Sequence, residues 1–135
     1  MKACINFLMA VALLVIVSAN AEGKNKNIDT GYKVVFQLSS NDSLVYKSFV
    51  RQLNNLLTAM PGVTIEVVTH GPGVEFLFAG SKYENAILQL KNKGITFLVC
   101  QNTLKEKKID PKVFLSAVEI IPAGKAHVIR RQSES

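Results

Sequence analysis

The chain has little sulfur, little histidine and no tryptophan. Its 135 residues contain two cysteines and two histidines. No second cysteine stands near Cys100, so no C-x-x-C exists and a thioredoxin-type dithiol cycle is excluded. One cysteine and two histidines, widely spaced, do not form a metal-ligand pattern, so neither a metal nor a cofactor is expected. Neither a phosphate loop, GxxxxGK[ST], nor a dinucleotide turn, GxGxxG after the first strand, occurs. The longest unbroken apolar run is 7–17, well short of the ~20 residues that span a bilayer. Basic residues outnumber acidic ones, 16 to 10. They are scattered and have few aromatic neighbours, so nucleic acid is not expected as a partner.

What is present begins with an export signature. Met1-Lys2 supplies a short positive start, an apolar stretch follows, and Ala19-Asn20-Ala21 is a small-x-small cleavage site. This is the layout of a secretory signal peptide over 1–21, removed after Ala21; an uncleaved anchor is the alternative. The expected location is periplasmic or secreted, with no membrane association after cleavage. Residues 22–31, EGKNKNIDTG, read as a flexible leader, and 32–135 as one domain. Cys4 leaves with the signal. Cys100 is then the sole thiol, with no intrachain disulfide open to it.

From residue 32, short β-prone runs alternate with helical periodicity. Strands are expected at 33–38, 63–69, 95–99 and 118–121. The first helix should be capped by Asp42, carry Leu44, Phe49, Leu53, Leu56, Leu57 and Met60 on one face, and end at Pro61-Gly62. The next is capped by Ser81 with Tyr83, Ile87, Leu88 and Leu90 inward. His70-Gly71-Pro72-Gly73 is a turn, followed by a short helix at 74–79. The last helix, 122–132, should bury Ala123, Ala126, Val128 and Ile129. Four alternations imply a three-layer α/β/α fold with a mainly parallel sheet of four to five strands, flavodoxin-like.

In such a sheet, ligands bind at the carboxyl ends of the strands. The loops there carry Ser39 and Ser40, His70 to Gly73, and Cys100 to Thr103. If the first and third strands are neighbours, Cys100 sits beside Ser39 and Ser40. The stretch FLVCQNTLKEKKID places Cys100 where a strand gives way to a helix. Unpaired amides of the first turn favour thiolate there, and Lys105, Lys107 and Lys108 add positive potential. His70 either accepts a proton from Cys100, hydrogen-bonds a substrate, or is a plain turn histidine. His127 has no chemical partner in view.

The segments KVVFQLSSND, IEVVTHGPGVEFL, FLVCQNTLKEKKID and VEIIPAGKAHVIRRQ, in that order, resemble the DsrE/DsrF-like family of small sulfur-handling α/β proteins. The resemblance implies assembly into a homo-oligomer, trimer or hexamer. It also implies a cysteine that carries sulfane sulfur as a persulfide between a donor and an acceptor, protein or small persulfide. Cys100 takes the catalytic role. His70, Gly71 and Gly73 match the turn motif, and Asn102 and Thr103 match the segment after the cysteine. Ser39 and Ser40 are added as supporting residues. Gln101 departs from the glycine that many relatives carry. The expected function is thus exported sulfur transfer or sulfur binding on Cys100, with a single-cysteine sulfurtransferase as the enzymatic form. The alternatives are a non-catalytic oligomeric binding module with a structural cysteine, and a thiol redox sensor.

Overall fold

The computed structural model describes residues 31–134. The expected signal peptide and nearly all of the expected leader lie outside the described residues. Four parallel strands form one sheet: β1 (Lys33–Leu38), β2 (Thr64–Thr69), β3 (Thr96–Cys100) and β4 (Glu119–Ile121). Four α-helices accompany them: α1 (Ser43–Ala59), α2 (Glu84–Asn92), α3 (Gln101–Lys107) and α4 (Gly124–Ser133). Two 3₁₀ segments, η1 (Gly71–Leu77) and η2 (Pro111–Val113), complete the described chain. The α/β class and the parallel sheet are as expected from the sequence. No described helix is long and apolar enough to cross a membrane.

The strand order is β1-β2-β3-β4. The conditional adjacency of the first and third strands therefore does not hold, because β2 lies between them. Val35 pairs with Glu66 and Glu66 with Thr96, so one register runs across the three strands. The order follows the sequence, and no strand reversal creates a switch-point crevice.

Side chains alternate across the sheet. Ile65, Val67, Phe97 and Val99 face one side, where they join Tyr46, Phe49 and Leu53 of α1, Ile87 and Leu90 of α2, and Val74, Phe76 and Leu77 of η1. Aromatic rings fill the centre: Tyr46 and Phe76 lie 4.8 Å apart and Phe76 and Phe97 6.4 Å. Val68 and Leu98 face the other side and meet Val128 of α4, with Val35 and Ile121 at the margin.

Local chemistry sets the helix ends. Asp42 Oδ1 accepts the Leu44 N–H at 2.7 Å and caps α1, as its sequence position indicated. After α1, Gly62 takes φ 88°, a left-handed value that disfavours side-chain-bearing residues. Asp110 caps η2 by accepting the Lys112 N–H at 2.9 Å.

Four expectations need correction. Ser81 does not cap α2: its hydroxyl has no hydrogen-bond partner, and α2 begins three residues later, after Tyr83. Leu44 is 75% exposed, because α1 turns Tyr46 inward instead. On α4, Ile129 is 66% exposed and Ala126 is exposed, so Val128 is the one large side chain of the expected apolar face that is buried. The segment after His70 is not a turn followed by a separate helix. One 3₁₀ stretch starts at Gly71 itself.

Candidate functional site

Cys100 ends β3 and is the N-cap residue of α3. β3 is a five-residue strand whose alternation sends Phe97 and Val99 into the main core, and Leu98 and Cys100 toward α4. Here α4 begins. The Gly124 amide donates to Cys100 Sγ at 3.3 Å. This approach favours glycine: a Cβ at 124 would stand a tight 3.2 Å from Cys100 Cβ and 3.1 Å from Val68 Cγ1. The thiol thus lies between the starts of two helices, not one.

The residue is 7% exposed. Burial pushes the thiol up, but the Gly124 amide, the Thr103 amide and hydroxyl, and the Asn102 amide together outweigh it and hold the thiol below its ordinary value. Gly124 alone meets the sulfur in full hydrogen-bond geometry; the Thr103 and Asn102 groups turn their positive ends toward it less directly. The stabilising groups are dipoles of the backbone and one hydroxyl. Lys105 and Lys107 lie in the last turn of α3, toward its far end.

The HGPG turn is tied to this arrangement through Thr103. Thr103 is buried, and its Oγ1 accepts the Gly71 N–H at 3.0 Å. That bond occupies the oxygen as an acceptor and leaves its own hydrogen for the neighbouring sulfur. Gly71 takes φ 54°, which favours glycine. Gly73 serves a different purpose. A Cβ there would lie 2.1 Å from the Leu38 carbonyl oxygen, so glycine lets η1 pass against the end of β1.

His70 does not hydrogen-bond Cys100. Its Nε2 pairs with Gln37 Oε1 at 3.2 Å. Burial lowers its pKa and the Lys125 charge adds to the shift, which favours the neutral imidazole. Ser39 is exposed, and Ser40 Oγ accepts the Asp42 N–H at 3.1 Å. Both sit after β1, separated from β3 by β2, and neither bonds the thiol. The structure therefore brings Cys100, Asn102, Thr103 and Gly71 together. It leaves Ser39 and Ser40 apart and places His70 in the same row of loops on a different partner.

Gly124, Lys125 and Gln37 were missed by sequence reasoning. The signal for Gly124 was a glycine at the start of the last helix, three residues after the end of β4, where a missing side chain permits close backbone approach. His127 also has a partner: its Nε2 lies 2.6 Å from Glu66 Oε2, and Arg131 adds an ion pair to Glu66 Oε1 at 3.0 Å. Among the described residues, no group of three or more His, Cys, Asp or Glu could hold a metal.

Comparison with known proteins bears on the family and the fold. The model of the DsrE/DsrF-like family matches residues 13–135. A solved structure of a protein of unknown function from Methanobacterium thermoautotrophicum is 32% identical and superposes with a TM-score of 0.74. The match covers 76% of this chain and 93% of that one. No curated protein matches.

Proposed function

The chain belongs to the DsrE/DsrF-like family, associated with sulfur relay, and from that premise we propose that Cys100 carries sulfane sulfur as a persulfide. The observation that carries the proposal is the Gly124 amide directed at Cys100 Sγ, with Thr103 and Asn102 behind it. These groups stabilise the thiolate, which is the attacking form. The thiolate attacks the outer sulfur of a donor persulfide. The donor's S–S bond breaks, the donor thiolate departs with the electron pair and takes up a proton, and a Cys100 persulfide remains. An acceptor thiolate then attacks the outer sulfur, and Cys100 leaves as the thiolate that the same amides hold. The cycle is redox-neutral and needs no cofactor. Transfer occurs outside the cytoplasm in this proposal, as the N-terminal sequence pattern supports, and the working form is a homo-oligomer, as in the resemblance above.

The test is mass spectrometry of purified protein after polysulfide treatment. The expected result is the gain of one or more sulfur atoms, located on Cys100 and lost in Cys100→Ser. No gain under conditions that load a model thiol overturns the proposal.

The 7% exposure of Cys100 favours a second reading, a binding module in which the thiol is structural. Alkylation of native protein separates the two. Labelling that begins only on unfolding supports the structural reading, and labelling of the folded chain supports the carrier.

A further inference from the structure

Transfer to or from Cys100 requires a reactant to reach the sulfur of a residue that is 7% exposed. α4 starts directly against that sulfur, with the Gly124 amide 3.3 Å from Sγ. What holds α4 in place therefore bears on what reaches the thiol.

The hold is slight on its apolar side. Val128 is the one large side chain that α4 buries, against Val68 and Leu98. The polar side centres on Glu66 of β2. Its Oε2 meets His127 Nε2 at 2.6 Å, and its Oε1 meets the Arg131 guanidinium at 3.0 Å. A covered parallel strand ordinarily presents apolar side chains to its helix. Glu66 instead places a carboxylate, 18% exposed, on the β2 face that it shares with Val68. Beside it lies a cavity of about 400 Å³, lined by Lys33, Val35 and Thr64 of the strands and by Arg131 and Gln132 of α4. The far half of the helix is thus not packed flat on the sheet.

Glu66 does not touch the thiol. It pairs in register with Thr96, and Cys100 is four residues further along β3, roughly 13 Å at the rise of a parallel strand. A direct charge effect at that range is weak at physiological ionic strength, and the pairing with His127 and Arg131 weakens it further. An influence of Glu66 on Cys100 passes through α4.

We propose that the Glu66–His127–Arg131 cluster positions α4 as a cover over Cys100 and so controls access to the sulfur. The proposal rests on reading Cys100 as a nucleophile. Closed, α4 shields the thiolate and holds it through Gly124. Elements with few buried apolar contacts open locally, and opening of α4 exposes the sulfur to a reactant.

Alkylation of the folded protein by iodoacetamide, an uncharged reagent, tests this across a pH range. Glu66→Ala and His127→Ala should each raise the plateau rate at high pH at least about tenfold, the factor for losing a charge-assisted hydrogen bond. The double variant should gain little over Glu66→Ala, because both attachments end on Glu66. Glu66→Gln, which keeps a hydrogen-bonding group, should fall between wild type and Glu66→Ala. The midpoint pH should stay in place, because closed molecules still predominate and still hold the thiolate. Ile87→Val trims the fully buried α1/α2 side of the core, lowers global stability without touching α4, and should leave the rate unchanged. The inference is overturned if the wild-type chain already reacts as fast as a model thiol, or if neither alanine variant changes the plateau rate. It is equally overturned if Ile87→Val raises the rate as much as they do, since global unfolding would then be what frees the sulfur. Sulfur loading of the wild-type chain, read by mass, is independent of these rates, so failure of the cover and failure of the carrier are told apart.

Discussion

Seventeen buried residues make up the cluster on the α1/α2 side of the sheet, and three make up the one on the α4 side. The thick side is a packed aromatic and aliphatic core. The thin side has one apolar contact point, Val128 against Val68 and Leu98, with polar attachments at each end of α4. At the helix's start, the Gly124 amide meets the thiol. Farther along, His127 of the first turn and Arg131 near the end hold Glu66 of β2. Stability thus resides mainly on one side, and the proposed sulfur site lies on the other. A helix held by a few polar bonds can present an amide to a sulfur without sealing it under a deep apolar layer.

Core truncation should show the largest contrast. Phe97→Ala on the thick side is expected to destabilise by about 3–5 kcal/mol, as large aromatic deletions in cores do. Val128→Ala should cost less, about 1–2 kcal/mol for two methyl groups. Denaturant unfolding measures both. If the two losses are equal, the unequal partition of the fold is wrong.

Gly124→Ala should have an intermediate effect on stability and a specific one on the thiol. The added methyl group meets Val68 and Cys100 at 3.1 and 3.2 Å, so either those side chains or the start of α4 give by a few tenths of an ångström, at an expected cost of about 1 kcal/mol. With the amide displaced, the Cys100 pKa should rise toward that of an ordinary thiol. The pH dependence of alkylation should move upward with it. An unchanged profile would mean that Gly124 does not tune the sulfur.

The smallest effect expected is that of acid on α4. Burial pushes Glu66 up, but hydrogen bonds and charge from His127 and Arg131 outweigh it, so its folded pKa is lowered. A carboxyl depressed in the folded state contributes stability that is fully present above its unfolded value. That stability is lost as pH falls through the folded value. Acid below the ordinary glutamate range, about 4.5, should therefore loosen α4 before the α1/α2 core. Hydrogen exchange of α4 amides, compared with those of α1, reads this directly, and Glu66→Gln should remove the difference in pH response.

Much of this arrangement was legible in the residues. The alternation of apolar runs and helical periodicity located all four strands, and Asp42 and Pro61-Gly62 marked helix ends through local chemistry that needs no tertiary partner. Cys100 at a strand-to-helix junction was legible for the same reason. Ser39 and Ser40 were misplaced because their proximity to Cys100 depended on strand order, which period and propensity do not encode. Leu44 and Ile129 were read as inward from spacing alone, and the packing geometry of each helix decided otherwise.

The sequence by itself determined the parallel α/β class, the sole described thiol and its position at the start of a helix, because these follow from nearest-neighbour patterns along the chain. The tertiary structure alone decided which groups meet that thiol. Gly124 is 24 residues from Cys100 in sequence, and Gly71 is 32 from Thr103. Contacts over such separations depend on how strands order themselves and how helices dock, and the free energy that selects them is spread over the whole core.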